Sequence, residues 1–173
     1  MNRVLILDTS ILCVLLEIPG KETCGSGKDR WDKARVDQKI TQELAQDTTF
    51  VLPLATIIET GNHIAQAAGD RFTSAQRLAG LMKQAADENK PWAAFTQQAE
   101  LWDANGLREL AKSWPTQAAA QLSIGDSTII RVADYYVRGG YSVEIWTGDA
   151  GLKAQQPVSA PAQPLPPPRR RRH

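Results

Sequence analysis

The chain is poor in the side chains that hold soft metals or cross-link a fold. It has two cysteines, Cys13 and Cys24, and two histidines in 173 residues. Two unpatterned thiols exclude a disulfide framework or a cysteine-based zinc site. No apolar run approaches the roughly 18 residues that a membrane-spanning helix needs. The N-terminus reaches Asp8 after the four apolar residues VLIL, too short a run for a signal peptide. The expectation is a cytoplasmic protein without a membrane span. Surplus charge is scarce as well. The formal net charge is +1, and four of the 20 basic residues are Arg169, Arg170, Arg171 and Arg172. Set apart from those four, 16 basic residues face 19 acidic ones, a balance of −3. A mildly acidic globular part excludes nucleic-acid binding argued from bulk charge alone.

With 42% hydrophobic residues, the chain supports one core and not two. The end of the sequence differs in kind. From Gln155 it reads QQPVSAPAQPLPPPRRRRH, rich in proline with two large aliphatics, so it cannot bury enough surface to fold. We expect a globular domain over 1–154 and a disordered tail over 155–173. Its Arg169, Arg170, Arg171 and Arg172 are either a solubilising end or an electrostatic attachment to RNA, DNA or an acidic partner.

Short apolar runs alternate with longer segments of helical period. VLIL at 4–7, FVLP at 50–53 and VEIW at 143–146 are the strand candidates, enriched in β-branched and aromatic residues. Residues 57–68, 74–88, 93–113 and 126–138 read as helices, the first with Ile57, Ile58, Ile64, Ala65 and Ala68 on its stripe. Pro115 and Gly139-Gly140 supply breaks. Strands alternating with helices imply βαβ crossovers, hence a three-layer α/β/α fold with a mostly parallel central sheet. Ligands of such sheets bind at the carboxyl ends of the strands.

Four acids fall at that edge. Asp8 follows the first strand, Glu59 opens the helix after the second, Asp126 opens a later helix, and Asp149 lies three residues past the last strand. Each also has a local reading. Asp8 is a candidate N-cap, Thr56-x-x-Glu59 and Ser123-x-x-Asp126 resemble capping boxes, and Gly148-Asp149 is turn chemistry. Together, four neighbouring carboxylates repel one another unless cations intervene. Oxygen donors without histidine or cysteine select hard ions such as Mg²⁺ or Mn²⁺, which also bind phosphates.

The segments LDTSIL, ETGN, GDSTIIRVADYY and VEIWTGD, in that order and spacing, resemble a PIN domain, the metal-dependent nuclease fold that includes the VapC-type toxins. The resemblance covers roughly residues 1–154. It implies a Mg²⁺- or Mn²⁺-dependent ribonuclease whose catalytic quartet is Asp8, Glu59, Asp126 and Asp149, with Asp8, Asp126 and Asp149 on the metal and Ser10 and Thr147 supporting it. It further implies RNA as substrate, a small antitoxin protein as partner, and homodimerisation. The segment from about 69 to 115, with Trp92, Trp102 and Trp114, departs from compact toxins and reads as a helical insertion whose tryptophans pack inside.

Other readings compete. A non-catalytic interaction module tethered by its basic tail needs no clustered acids, and a DNA nuclease would use the same centre. A haloacid-dehalogenase-type phosphatase wants a second acid two residues after Asp8, where this chain has Ser10. CGSGKDR lacks the phosphate-loop pattern, with Glu22 where glycine is required and Asp29 where a hydroxyl is. It reads as a surface loop. His63, outside any HExxH pattern, reads as a helix-surface residue.

Overall fold

A computed structural model describes residues 2–158. Four strands, β1 (Arg3–Leu7), β2 (Thr49–Leu52), β3 (Trp92–Ala94) and β4 (Ser142–Trp146), form one sheet in the order β3-β2-β1-β4. Every neighbouring pair is parallel, with Val4 opposite both Thr49 and Val143. The connecting helices are α1 (Thr9–Leu15), α2 (Lys33–Leu44), α3 (Leu54–Gln66), α4 (Arg71–Ala86), α5 (Ala104–Ala119), α6 (Ile124–Arg138) and α7 (Ala150–Lys153).

The period of two along each strand divides the core into two layers. Leu5, Leu7, Phe50, Leu52 and Trp146 pack with residues of α1, α3 and α4, among them Ile11, Ile64 and Leu78. Val4, Ile6, Val51, Val143 and Ile145 pack on the other face against Ile129, Val132 and Ala133 of α6. Covering both faces is why β1 reads as an unbroken apolar run. Val4 to Leu7 are fully buried, and each such side chain stabilises by about 1.5–3 kcal/mol relative to exposure. The three-layer α/β/α class expected from the sequence is the fold observed.

Several local expectations are corrected. The stretch 93–113 is not one helix: Trp92–Ala94 pair with Phe50–Leu52 as β3, a 3-10 segment follows at Phe95–Leu101, and α5 begins at Ala104. Sheet pairing overrides the helical preference of Ala93 and Ala94. The segment 69–115 therefore enters the sheet itself. Trp92 is buried edge-on to Phe50 with centroids 5.5 Å apart. Pro115 does not end a helix but sits inside α5. The inward face of α3 is Thr56, Thr60 and Ile64, while Ile58 is 53% exposed. The rotation follows from Thr56, whose hydroxyl donates to the Leu7 carbonyl at 2.8 Å and satisfies the end of β1. Thr56 is thus no cap, and the N-cap of α3 is Pro53. Helix α2, which the apolar pattern left undetected, starts at an Asp32 cap that accepts from the Arg35 N–H.

The chain winds from β1 through β2 to β3, then returns to place β4 on the opposite side of β1. The switch point of the sheet lies between β1 and β4, where the rule for open parallel sheets puts a ligand.

Candidate active site

Asp8 continues β1 by one residue, its N–H donating to the Trp146 carbonyl at 3.1 Å. It then becomes the N-cap of α1. Its Oδ2 accepts from Ser10 N–H at 3.3 Å, from Ser10 Oγ at 2.7 Å and from Thr147 Oγ1 at 2.7 Å. A carboxylate only 5% exposed is thereby offset by three donors and the start of a helix. Its Oδ1 takes no hydrogen bond among the described residues.

Both hydroxyls act twice. Thr147 Oγ1 accepts from Asp149 N–H, and Ser10 Oγ accepts from Gly148 N–H, each at 2.9 Å. The end of β4 is thus tied to the start of α1 through the Asp8 carboxylate. Asp149 itself caps α7, its Oδ1 accepting from Leu152 N–H at 2.8 Å. On α3, Glu59 Oε2 accepts from Thr9 Oγ1 at 2.9 Å. Glu59 Oε1 lies in the space a side chain at Gly125 would fill, 2.2 Å from a Cβ built there. Asp126 completes the capping box with Ser123: Asp126 N–H donates to Ser123 Oγ at 3.0 Å, and Ser123 N–H donates to Asp126 Oδ2 at 3.1 Å.

All four acids line one cleft of about 450 Å³. Ser10 is in its wall and Thr147 stands behind Asp8. None of the four forms an ion pair among the described residues. Nor are any three acid, imidazole or thiol groups among the described residues gathered closely enough to ligate one ion. Asp126 Oδ2 and Asp149 Oδ1 are each engaged in a helix cap. In donor type the cleft still fits a hard divalent cation, with carboxylate oxygens from four elements and an unbonded Asp8 Oδ1. Asp8, Asp126 and Asp149, the residues the PIN resemblance assigns to the metal, share the cleft without converging on one point.

The cleft also contains residues to which the sequence assigned no role there. Cys13, Cys24, Lys21 and His63 all line it. Burial pushes the Cys13 thiol up to about 11 and raises that of Cys24. Both stay protonated near neutral pH, so neither is a ready nucleophile or thiolate ligand. The CGSGKDR segment is not a free loop: Cys24 and Trp31 exchange backbone hydrogen bonds at 3.0 and 2.8 Å, and Cys24 abuts Gly148. Only the fold brings this segment to the end of β4. Placing His63 four residues after Glu59 was the one local signal that it shares the cleft. The four arginines expected to contact nucleic acid from the tail, Arg169, Arg170, Arg171 and Arg172, lie outside the described residues.

Compared with protein-family models, curated proteins and solved structures, the chain matches none.

Proposed function

We propose that the protein is a metal-dependent ribonuclease that hydrolyses phosphodiester bonds in the acidic cleft. The observation that carries this reading is the convergence of Asp8, Glu59, Asp126 and Asp149 from four elements on one cleft at the β1/β4 switch point, with no ion pair to any of them among the described residues. Structural acids are ordinarily paired or dispersed. RNA as the substrate rests on the PIN resemblance of the LDTSIL, GDSTIIRVADYY and WTGD segments, as does an antitoxin partner.

A bound Mg²⁺ or Mn²⁺ would supply a low-pKa water and charge stabilisation at the attacked phosphate. The chain's own part is orientation. Ser10 and Thr147 fix the Asp8 carboxylate through Oδ2 and turn Oδ1 free of protein donors. Thr9 holds Glu59, and Gly125 leaves it room. Thr147 also anchors the backbone of Asp149. Such supporting bonds fix the direction of a ligand's lone pairs and tune its basicity.

The test is cleavage of total RNA and of single-stranded DNA in Mg²⁺ or Mn²⁺ by wild type, Asp8→Asn and Asp126→Asn. RNA cleavage lost in both variants supports the reading; wild-type rates in both overturn it. Cleavage of DNA alone moves the substrate and keeps the centre. A second reading, a non-catalytic interaction module, is favoured by the capped state of Asp126 and Asp149. It expects no cleavage and no rise in melting temperature with millimolar Mn²⁺, since an ion that binds the native state must stabilise it by mass action.

A further inference from the structure

We propose that Lys21 is a phosphate-binding residue that seats the nucleic-acid strand across the acidic cleft. The inference rests on the nuclease reading above and extends it to the way the substrate is held. An acid-lined cleft repels the polyanion it is meant to cut, so a cation beside the acids, and not neutralised by them, is the feature to look for.

Lys21 is the one lysine or arginine lining the cleft among the described residues. Its placement is built. Ile18, Pro19, Gly20 and Lys21 form a β-turn closed by Lys21 N–H donating to the Ile18 carbonyl at 2.9 Å. Proline stands at the second position and Gly20, at φ +82°, at the third, the residues a type II turn requires. Three residues on, Cys24 is pinned to Trp31 and packs against Gly148. The segment bearing Lys21 is therefore fixed at both ends against the cleft.

The ammonium is also uncommitted. Lys21 forms no ion pair among the described residues, although four acids share its cleft. The adjacent acid is turned away: Glu22 Oε1 accepts from the Gly20 N–H at 2.8 Å, bending back over the turn. Lys21 shares the cleft with the buried Cys13 thiol, which carries no charge to pair with it. An exposed, flexible ammonium with three donors at the lip of the cleft suits a non-bridging phosphate oxygen of an adjoining nucleotide.

The experiment measures binding of a fluorescein-labelled single-stranded RNA oligonucleotide by full-length Asp8→Asn protein in Mg²⁺ over a range of salt. Lys21→Ala, Lys21→Arg and Lys28→Ala are compared in that background. Lys28 carries the same charge in the neighbouring loop but does not line the cleft. Lys21→Ala is expected to weaken binding and to reduce the slope of log K against log salt by about 0.7, the value for one single-strand phosphate contact. Lys21→Arg is expected to restore the slope and Lys28→Ala to leave it unchanged. In the cleaving protein, Lys21→Ala raises KM and leaves kcat in place. An unaltered slope in Lys21→Ala, or an equal loss in Lys28→Ala, overturns the proposal. Lys21-dependent binding by a wild-type protein that cuts nothing overturns the nuclease reading alone; cleavage with Lys21-independent binding overturns Lys21 alone.

Discussion

Thr147 Oγ1 donates to Asp8 Oδ2 at 2.7 Å, joining the last residue before the β4 turn to the first after β1. The same oxygen accepts from Asp149 N–H, so one buried hydroxyl serves two of the four acids. Thr147→Val keeps the shape and removes both bonds. It leaves the Asp149 N–H without its acceptor and Asp8 with one donor fewer, at a cost of about 2 kcal/mol. Urea unfolding should show that loss, and the rise in melting temperature that the proposed metal site predicts with Mn²⁺ should shrink. A variant as stable and as responsive to Mn²⁺ as wild type would mean that the hydroxyl orients nothing.

Gly125 is kept small by Glu59. A Cβ at 125 would stand 2.2 Å from Glu59 Oε1 and 3.2 Å from its Cδ, so Gly125→Ala must push the carboxylate aside. The position lies in the first turn of α6, where alanine is no worse than glycine for the helix. On the proposed nuclease reading, the expected result is an unchanged or higher melting temperature with RNA cleavage lowered on the order of 10- to 100-fold, the effect of displacing a catalytic group by about an ångström. Cleavage at the wild-type rate would remove Glu59 from the chemistry.

How much of this was legible in the sequence depends on how local each signal is. β1, β2 and β4 announce themselves because both faces of the sheet are covered and each carries a run of buried apolar residues, broken in β4 only by Glu144. Asp8, Ser10 and Asp149 are visible because strand end, cap and turn chemistry are encoded within a few residues. β3 was illegible: Trp92-Ala93-Ala94 is strand only because Phe50–Leu52 lie beside it. The inward face of α3 misled for the same kind of reason, since Thr56 is buried to serve a carbonyl of β1 and Ile58 is left outside. Lys21 and Cys24 line the cleft, Cys24 against Gly148, and Gly125 leaves room for Glu59, through placements that no spacing reveals.

Acid should loosen the fold at Glu43. This buried side chain of α2 accepts from Arg3 Nε at 2.7 Å, from Arg3 Nη2 at 2.8 Å and from Thr48 Oγ1 at 2.8 Å. The Arg3 hydrogen bond, above all, holds its carboxyl below the ordinary value of 4.5. A depressed folded-state value means that the stabilisation is fully present above about pH 4.5 and is lost as pH falls through the folded value. Glu43→Gln should therefore be less stable than wild type by about 2 kcal/mol at pH 7. The gap should close as pH falls below 4.5, and chemical denaturation across pH checks it. A gap that persists into acid would assign the loss to packing.

Pro115 is a standing cost in α5. Inside the helix it has no N–H for the carbonyl of Ala111, and its ring crowds that carbonyl. Since proline is disfavoured by up to about 3 kcal/mol relative to alanine in a helix interior, Pro115→Ala should raise stability by about 1–3 kcal/mol. Thermal unfolding followed by circular dichroism checks this. No gain would mean that the helix has already adapted to the ring at a cost too small to measure.

At the outer edge of β4 one side chain covers Ile145. Ser142 N–H and the Trp146 carbonyl bond on the β1 side, to Asn2 and Asp8, so by alternation the polar groups of Val143 and Ile145 point outward. Gln156 meets Ile145 there with both ends of its carboxamide: Oε1 accepts from Ile145 N–H at 2.9 Å and Nε2 donates to the Ile145 carbonyl at 2.7 Å. The pairing imitates a neighbouring peptide group, and it brings ordered structure past 154, where the sequence placed the start of the tail. An uncovered edge strand is a template for another chain. Gln156→Ala should therefore cost about 1–2 kcal/mol of stability and raise the tendency to self-associate relative to wild type. Sedimentation velocity over a range of protein concentrations measures the second effect. If association is unchanged while stability falls, Gln156 is only a staple for the end of the domain; if both change, its carboxamide keeps the sheet from extending into a second molecule.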